Sequence, residues 1–422
     1  MSVLGIIEKL LDGFEVEWKK FDEVGVFLRG KRFVKADMKS EGVPCIHYGE
    51  MYTHFGVHAK EAKSFLDETV ASKLRVANPG DVVIVAAGET VEDIGNGTAW
   101  LGESDVVFHD ACFSFKSSQD PKYVAYYLRT NLFKEQIRRS VSSGKISSIN
   151  AKGLGKAAIP IPCPDNPEKS LAIQAEIVRV LDAFTAMTAE LTAELTAELN
   201  LRKKQYNYYR DKLLSFGDGE VEWKTLGEVT QLITKGTTPK EFVSDGVNFI
   251  KLESFDDNRI KPDKFMFITP EVHNKALKRS VLEENDILFA IAGATIGKCA
   301  IVDKSVLPAN TNQALAIVRL TQQVKVKFAF YYMQTTAMTD YIAKFNKTSA
   351  QPNINLKQMS EFKIPVPSIN EQIRIIQILD NFNTSTSSIK EGLLREIELR
   401  QKQYEYYRDL LLSFPKSNEG AA

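Results

Sequence analysis

The sequence predicts an α+β protein in which two pseudo-symmetric α/β domains of one fold are joined by two long helices that pair as an internal coiled coil. The first observation behind this is a repeated stretch. Residues 201–216 read LRKKQYNYYRDKLLSF and residues 399–414 read LRQKQYEYYRDLLLSF, while QAEIVRVLDAF at 174–184 returns as QIRIIQILDNF at 372–382. All of these lie 198 positions apart, giving two unbroken blocks, 174–216 and 372–414. The second is a further pairing at an offset of 205: VEWKKFDEV (16–24) with VEWKTLGEV (221–229), PGDVVI (79–84) with ENDILF (284–289), YVAYYL (123–128) with FAFYYM (328–333), Asn150 with Asn355, and IPIP (159–162) with IPVP (364–367). Sequence between these anchors is dissimilar, as expected of two domains that share a fold and differ in surface. The third is length, since 422 residues exceed what one hydrophobic core organises.

Taken in order, the chain divides into a first domain at 1–158, opened by an amphipathic piece at 1–14, a central repeat at 159–216, a second domain at 217–363 and a C-terminal repeat at 364–422. Apolar runs at 81–86, 106–115, 286–291 and 314–320 read as strands, and 121–141 and 325–344 read as helices. IPIP and IPVP read as edge strands, because proline cannot donate to a ladder. Trp18 and Trp223 are expected to pack beneath their domains. In the repeats, Gly and Pro are scarce and apolar residues recur at helical spacing. Ile173, Ile177, Val180, Leu181 and Phe184 form one stripe, with Ile373, Ile376, Leu379 and Phe382 as its counterpart. Asn166 with Pro167, and Ser368 with Glu371, carry helix-start signals. Gly217 and Gly219 stop the first helix and Pro415 the second. At ~1.5 Å per residue each helix runs roughly 65 Å. Within the first, residues 188–199 are TAEL three times over, with Thr188, Leu191, Leu195 and Leu199 marking the period. It is either a helix-forming filler or a spacer whose length matters. The closing KSNEGAA reads as a frayed tail.

Composition excludes several classes. No apolar run reaches the ~18–20 residues of a membrane span. Cys45, Cys112, Cys163 and Cys299 form no CxxC pair, which points to a reducing, cytoplasmic setting. GATIGKC at 293–299 falls one residue short of a phosphate loop and has Cys where the magnesium-binding hydroxyl belongs, so it reads as a strand-to-turn junction. His47, His54 and His58 lack the companions of a metal site and read as surface or nucleic-acid-facing. Glu17 with Lys19, and Glu222 with Lys224, match the end of a nuclease motif, but their repetition at domain entrances indicates a structural role. No glycine-rich cofactor fingerprint and no Asn/Asp-Pro-Pro-aromatic tetrapeptide is found.

Net charge is zero, yet basic residues are placed. Residues 122–160 hold Lys122, Arg129, Lys134, Arg138, Arg139, Lys145, Lys152 and Lys156 against Glu135 alone, and 327–365 hold Lys327, Lys344, Lys347, Lys357 and Lys363 against Asp340 and Glu361. Each basic helix runs into a polar loop, with Lys145 and Ser148 in the first domain and Lys347, Thr348 and Gln351 in the second. A second cluster lies early in each domain: Arg29, Lys31, Arg32 and Lys35, then Lys235, Thr237, Thr238 and Lys240. Lys and Arg neutralise phosphates, whereas Ser, Thr, Asn and Gln read base edges. The same placement in two dissimilar domains points to double-stranded DNA more than to a solvated face.

Two dissimilar domains alternating with two similar long helices resemble the specificity subunit of Type I restriction–modification systems. The resemblance covers nearly the whole chain and rests on VEWKKFDEV and VEWKTLGEV, IPIP and IPVP, the QKQYEYYRD-type helix ends and the TAEL tetrads. It implies two target-recognition domains, each reading one half of a bipartite asymmetric site, and an antiparallel coiled coil that holds two methyltransferase subunits. Restriction and translocation subunits would join through the methyltransferases. It implies no catalysis and no cofactor in this chain, with S-adenosylmethionine, ATP and magnesium acting in the partners. Tyr206, Tyr208, Tyr209, Tyr404, Tyr406 and Tyr407 exceed what one helix seam can bury and are candidates for a subunit interface. The rivals are a single-chain methyltransferase or nuclease with degenerate motifs, and a coiled-coil scaffold that does not touch DNA.

Overall fold

A computed structural model describes residues 13–142, 144, 146–217, 219–256, 258–345 and 352–414. Nearly all of the opening piece 1–14 and the whole closing tail therefore lie outside the described residues. The chain forms two compact units. One runs to Leu195 and resumes at Leu394, and the other is Thr196–Leu393.

In the first unit the entrance and exit motifs zip together. Val16–Lys20 pairs antiparallel with Ala158–Pro162, Trp18 opposite Pro160, which suits two prolines that have no N–H to give. Trp18 packs edge-on to Tyr127 at 6.3 Å. A five-stranded sheet comes next, ordered Gly25–Arg29, Cys112–Ser117, Val82–Val85, Gly97–Trp100, His58–Ala59. A four-stranded sheet holds Ser64–Leu66, Val43–Ile46, Val106–Phe108 and Val76–Ala77, with Val43–Ile46 and Val106–Phe108 parallel. The apolar run at 106–115 is thus two strands parted by a turn. Phe21, Phe108, Phe115, Phe133, Trp100, Tyr123, Tyr126 and Tyr127 are buried in one core.

The second unit repeats this plan with fewer strands. Glu222–Thr225 pairs with Lys363–Val366, and Trp223 packs edge-on to Tyr332 at 6.4 Å. A four-stranded sheet is ordered Thr230–Lys235, Leu315–Leu320, Ile287–Ala290, Cys299–Ile301. Beside it lie Met266–Ile268, Val247–Ile250 and Ala309–Thr311, the last two parallel. The GATIGKC stretch is the hairpin turn before Cys299–Ile301, with Gly293 and Gly297 at φ of 86° and 93°.

Neither 121–141 nor 325–344 is a single helix. Pro121–Tyr127 and Asn131–Ile137 replace the first, Val326–Tyr332 and Thr336–Phe345 the second. A threonine makes each break: Thr130 Oγ1 donates to Tyr127 O (2.7 Å) and accepts from Phe133 N (3.2 Å), ending one helix and capping the next. Thr335 Oγ1 donates likewise to Tyr332 O at 2.6 Å. The next amide then turns to a long helix: Asn131 N donates to Asp409 Oδ2 (3.0 Å) and Thr336 N to Asp211 Oδ2 (3.1 Å).

The long helices are Pro167–Leu213 and Ile369–Leu411. Asn166 Oδ1 accepts from Lys169 N at 3.0 Å, capping the first. Ser368 Oγ accepts from Glu371 N at 3.3 Å, but the Glu371 carboxylate pairs with Arg374, so the second box is half made. Ile373 is off the buried stripe and exposed. The buried residues are Gln372, Ile375 and Leu379, matching Gln174, Ile177 and Leu181. A glutamine holds the stripe because its amide is fully used: Gln174 Oε1 accepts from Asp120 N (3.0 Å) and Gln372 Oε1 from Lys325 N (2.8 Å). One turn-pair on, Asp182 Oδ1 accepts from Tyr126 Oη (2.8 Å) and pairs with Lys122, while Asp380 accepts from Tyr331 Oη (2.6 Å) and Lys327 Nζ (2.7 Å). In the first unit Phe184 meets Tyr407 at 5.9 Å and Tyr404 Oη accepts from Thr185 Oγ1 at 3.1 Å, an antiparallel pairing. In the second, Phe382 stacks on Tyr209 at 5.8 Å, the same contact with the helices exchanged. Leu411, Leu412 and Phe414 complete the first core, and Leu214 joins the second.

Asp182→Ala takes from Lys122 its carboxylate and from Tyr126 Oη one of two partners, the other being the Thr185 hydroxyl, at a half-buried seam. It should destabilise the first unit by about 1–3 kcal/mol, read as a lower urea midpoint, and an unchanged midpoint would show that the seam is held by apolar packing alone.

Candidate nucleic-acid interface

In each unit, backbone hydrogen bonds build one rim at the end of the sheets. Gly30 N donates to Cys112 O (3.0 Å), Ala86 N to Ala111 O (2.7 Å) and Ile149 N to Ala86 O (2.9 Å). The second unit repeats them: Gly236 N to Leu315 O (3.3 Å), Ile291 N to Ala314 O (2.9 Å) and Ile354 N to Ile291 O (2.9 Å). Only glycine fits where the early loop leaves its strand. A Cβ on Gly30 would lie 2.1 Å from His109 O, and one on Gly236 would lie 1.9 Å from Thr311 O. In the first unit the rim therefore brings together the two clusters that the sequence kept apart, the early basic loop and the late polar loop. Between them lies a turn that the sequence did not reveal, residues 109–111 and 312–314. Its only signal there was a polar interruption, His109 and Asp110 inside the apolar run.

Arg29, Lys31, Arg32, Lys35, Arg138 and Arg139 are exposed. Arg29 Nε donates to Asp110 O (3.0 Å) and lies over the Phe113 ring, and Lys31 Nζ donates to Lys73 O (2.8 Å). Arg138 and Arg139 form the 3₁₀ turn Arg138–Ser140 that leads to the rim. Ser148 closes its loop by exchanging backbone bonds with Ser142, their hydroxyls 3.0 Å apart. In the second unit Lys235, Thr237, Thr238, Lys240 and Lys344 are exposed, and Thr238 Oγ1 donates to Gln313 Oε1. Lys145, Lys347, Thr348 and Gln351 lie outside the described residues.

Three cations of the basic run do not face outward. Lys122 pairs with Asp182, and Arg129 donates to Gly97 O and Gly56 O. Lys134 donates to Ile94 O at 2.6 Å, and burial with Arg129 nearby pushes its ammonium down to about 7. A long basic side chain on a short helix spends its charge on the nearest carbonyl or carboxylate when packed against the core.

Nor is His47 at the surface. It is buried, accepts from Gly49 N through Nδ1 (3.2 Å) to start the helix Tyr48–Thr53, and lies 4.8 Å from the His109 ring, beside Phe33 and Tyr48. Burial holds both imidazoles below the usual histidine range, with a further push from His109 and Lys35 on His47, and from Arg32 on His109; Glu50 and Asp110 oppose it. His54 and His58 are exposed. Among the described residues no cluster of His, Cys, Asp or Glu could hold a metal ion, and no helix is long and apolar enough to cross a membrane.

The interface tyrosines divide. Tyr206, Tyr404 and Tyr407 are half-buried, Tyr209 stacks on Phe382, and Tyr208 and Tyr406 stand 61% and 63% exposed. In the TAEL run Thr188 donates to Phe184 O (2.8 Å), and Thr188, Leu191, Leu195 and Leu199 are half-buried.

The same rim built twice, each beside a long helix, defines a protein of two equivalent domains. The family model for the type I restriction modification DNA specificity domain matches residues 15–201 and 219–399, and the chain belongs to that family. It is 40% identical to the Type I restriction enzyme EcoR124I/EcoR124II specificity subunit of Escherichia coli, covering 99% of this chain and 98% of that one. The EcoprrI specificity subunit of the same organism is 32% identical, with 93% of each covered. A chain from a structural study of complex assembly and conformational transition of the type I R-M system has the same fold at 16% identity, TM-score 0.69, covering 94% of this chain and 97% of that one. The protein is thus a DNA specificity subunit, a non-catalytic component of a restriction–modification system.

The exposed rim cations and the paired histidines can each be tested. Arg32→Ala and Lys35→Ala should each flatten the salt dependence of DNA affinity by ~1 in log–log slope, whereas Lys122→Ala should leave the slope alone. Equal slopes for all three would remove the rim from the phosphate path. For the histidines the readout is stability against pH. Their folded values lie below the unfolded ~6.5, so the unfolded chain takes up protons first as pH falls. Stability is intact above about 6.5 and is lost below it. The urea midpoint should drop between pH of about 7.5 and 5.5, and His47→Asn, which keeps an acceptor for Gly49 N, should reduce the drop; a drop of the same size in that variant would locate the effect elsewhere.

Proposed function

We propose that each domain reads one half of a bipartite, asymmetric double-stranded DNA target through its rim. The supporting observation is that one set of backbone bonds recurs in both domains beneath different side chains. Arg29, Arg32, Lys35, Arg138, Arg139, Lys235, Lys240 and Lys344 would neutralise phosphates, and Ser148 and Thr237 would stand closer to the bases, with Thr238 held back on Gln313. Two methyltransferase subunits would dock on the helices, one per repeat. Leu171 and Ile369, Leu201 and Leu399, and Tyr208 and Tyr406 are exposed at matching positions of the two copies, the arrangement that two identical partners require. Restriction subunits would attach through the methyltransferases. S-adenosylmethionine, ATP and magnesium would serve those partners, in the cytoplasm where the DNA is.

The TAEL run would act as a spacer. Removing one tetrad shortens the helix by ~6 Å and turns the residues beyond it by ~40°, close to one base-pair step in twist. Methylation mapping in cells expressing the chain with its methyltransferase tests both ideas. Replacing residues 15–160 with the equivalent region of a relative should change one half-site only, and deleting a tetrad should change only the gap. A change in both half-sites on domain exchange would sink the modular reading; an unchanged gap would leave the tetrads as filler.

A further inference from the structure

We propose that the apex of the rim turn, Asp110 in the first domain and Gln313 in the second, is a base-reading position in the major groove. This inference rests on the DNA reading above and names the side chains within it. The two residues are structural equivalents: Asp110 comes two positions after Val106–Phe108 and two before Cys112–Ser117, and Gln313 stands in the same relation to Ala309–Thr311 and Leu315–Leu320. Each turn is clamped on both sides by backbone bonds, from the early loop through Gly30 or Gly236 and from the other flank through Ala86 or Ile291. An apex so held loses little further freedom on binding, which favours specific contact.

Chemistry differs at the apex while the frame does not. Gln313 is exposed, and its Oε1 accepts from the Thr238 hydroxyl, so its NH₂ group is the free end. Its neighbour Asn312 is arranged alike, with Oδ1 accepting from Ala314 N at 3.2 Å. The second domain thus presents amide donors, which suit acceptor edges: N7 and O6 of guanine, N7 of adenine, or O4 of thymine. Asp110 in the first domain presents an acceptor. Its side chain is 37% exposed, Arg29 Nε is committed to its carbonyl, and its carboxylate lies 3.0 Å from His109 Nδ1. A carboxylate there suits a donor edge, the N4 amino group of cytosine or the N6 amino group of adenine. Thr238 acts through Gln313, as a positioning residue.

The test is selection from a pool of random duplexes by the full-length chain in complex with its methyltransferase partner. Gln313→Glu and Asp110→Asn are isosteric and exchange donor for acceptor. Each should change or relax the preference at one base pair of one half-site by about 5- to 150-fold, leaving the other half-site as in the wild type. If both variants select the wild-type sequence at every position, the inference is overturned while DNA reading stands. If the wild-type complex enriches no sequence, the DNA reading itself fails. Should either variant melt well below the wild type, Thr238→Val decides, because it removes only the hydroxyl that orients Gln313. A relaxed preference at the Gln313 position supports the inference, and an unchanged selection rejects it.

Discussion

Neither recognition domain is finished by its own stretch of chain. The second short helix of each begins with an amide that has no partner within its domain, and a carboxylate from the end of a long helix supplies one. For the first domain that carboxylate is Asp409, for the second Asp211. Each is held in turn by the arginine before it, Arg408 at 2.6 Å and Arg210 at 2.8 Å, with both guanidiniums buried. Exposed ion pairs contribute little, but a charged acceptor facing a backbone donor in a sheltered seam contributes more, on the order of 1.5–3 kcal/mol. With Asp182 and Asp380 holding the first short helix of each domain, a recognition domain is tied to helix at two separated points, which restrains its rotation as well as its distance.

This arrangement separates frame from reader. The ties that orient a domain use residues repeated in both halves: Gln174 and Gln372, Tyr126 and Tyr331, Lys122 and Lys327. The rim is built from backbone donors and acceptors, which any residue supplies. Glycine alone is demanded, at 30 and 236, because a side chain would strike the neighbouring carbonyl. Side chains at the apex of each turn can therefore differ, and they do: Asp110 in one domain stands where Gln313 stands in the other, whereas His109 is buried beside His47 and belongs to the packing of its domain.

Legibility in the sequence divides along the same line. The doubled architecture, the long helices, the Asn166 cap and the strand character of IPIP and IPVP were carried by local pattern or by repetition at a fixed offset. The breaks at Thr130 and Thr335 were not, because the donors they expose are satisfied by carboxylates 278 and 125 positions away in sequence. Ile373 shows a limit of periodicity: apolar residues at helical spacing suggested a stripe through it, but the buried position is Gln372, whose amide is consumed by backbone groups at the start of a short helix, Lys325 N and Gln323 O, that no helical pattern reveals. Lys122 and Lys134 show another. Clustered lysines read as a surface, and only packing tells which of them has a carboxylate or carbonyl within reach.

The zero net charge also acquires a physical meaning. Along the helices acids are spent locally, Glu176 on Arg179, Glu198 on Arg202, Glu396 on Arg400 and Glu398 on Lys402. Four more carboxylates, Asp182, Asp211, Asp380 and Asp409, tie domains to helices. Among the described residues none of Arg32, Lys35, Arg138, Arg139, Lys235 or Lys240 makes such a pair. Exposed cations free of a carboxylate partner therefore stand on these loops although the chain as a whole is neutral. Affinity for arbitrary DNA grows with the number of phosphates neutralised, so a chain basic all over would be held on non-specific sites. A chain neutral as a whole limits that background and, on the reading proposed, leaves the few side chains at each turn to decide where the protein stays.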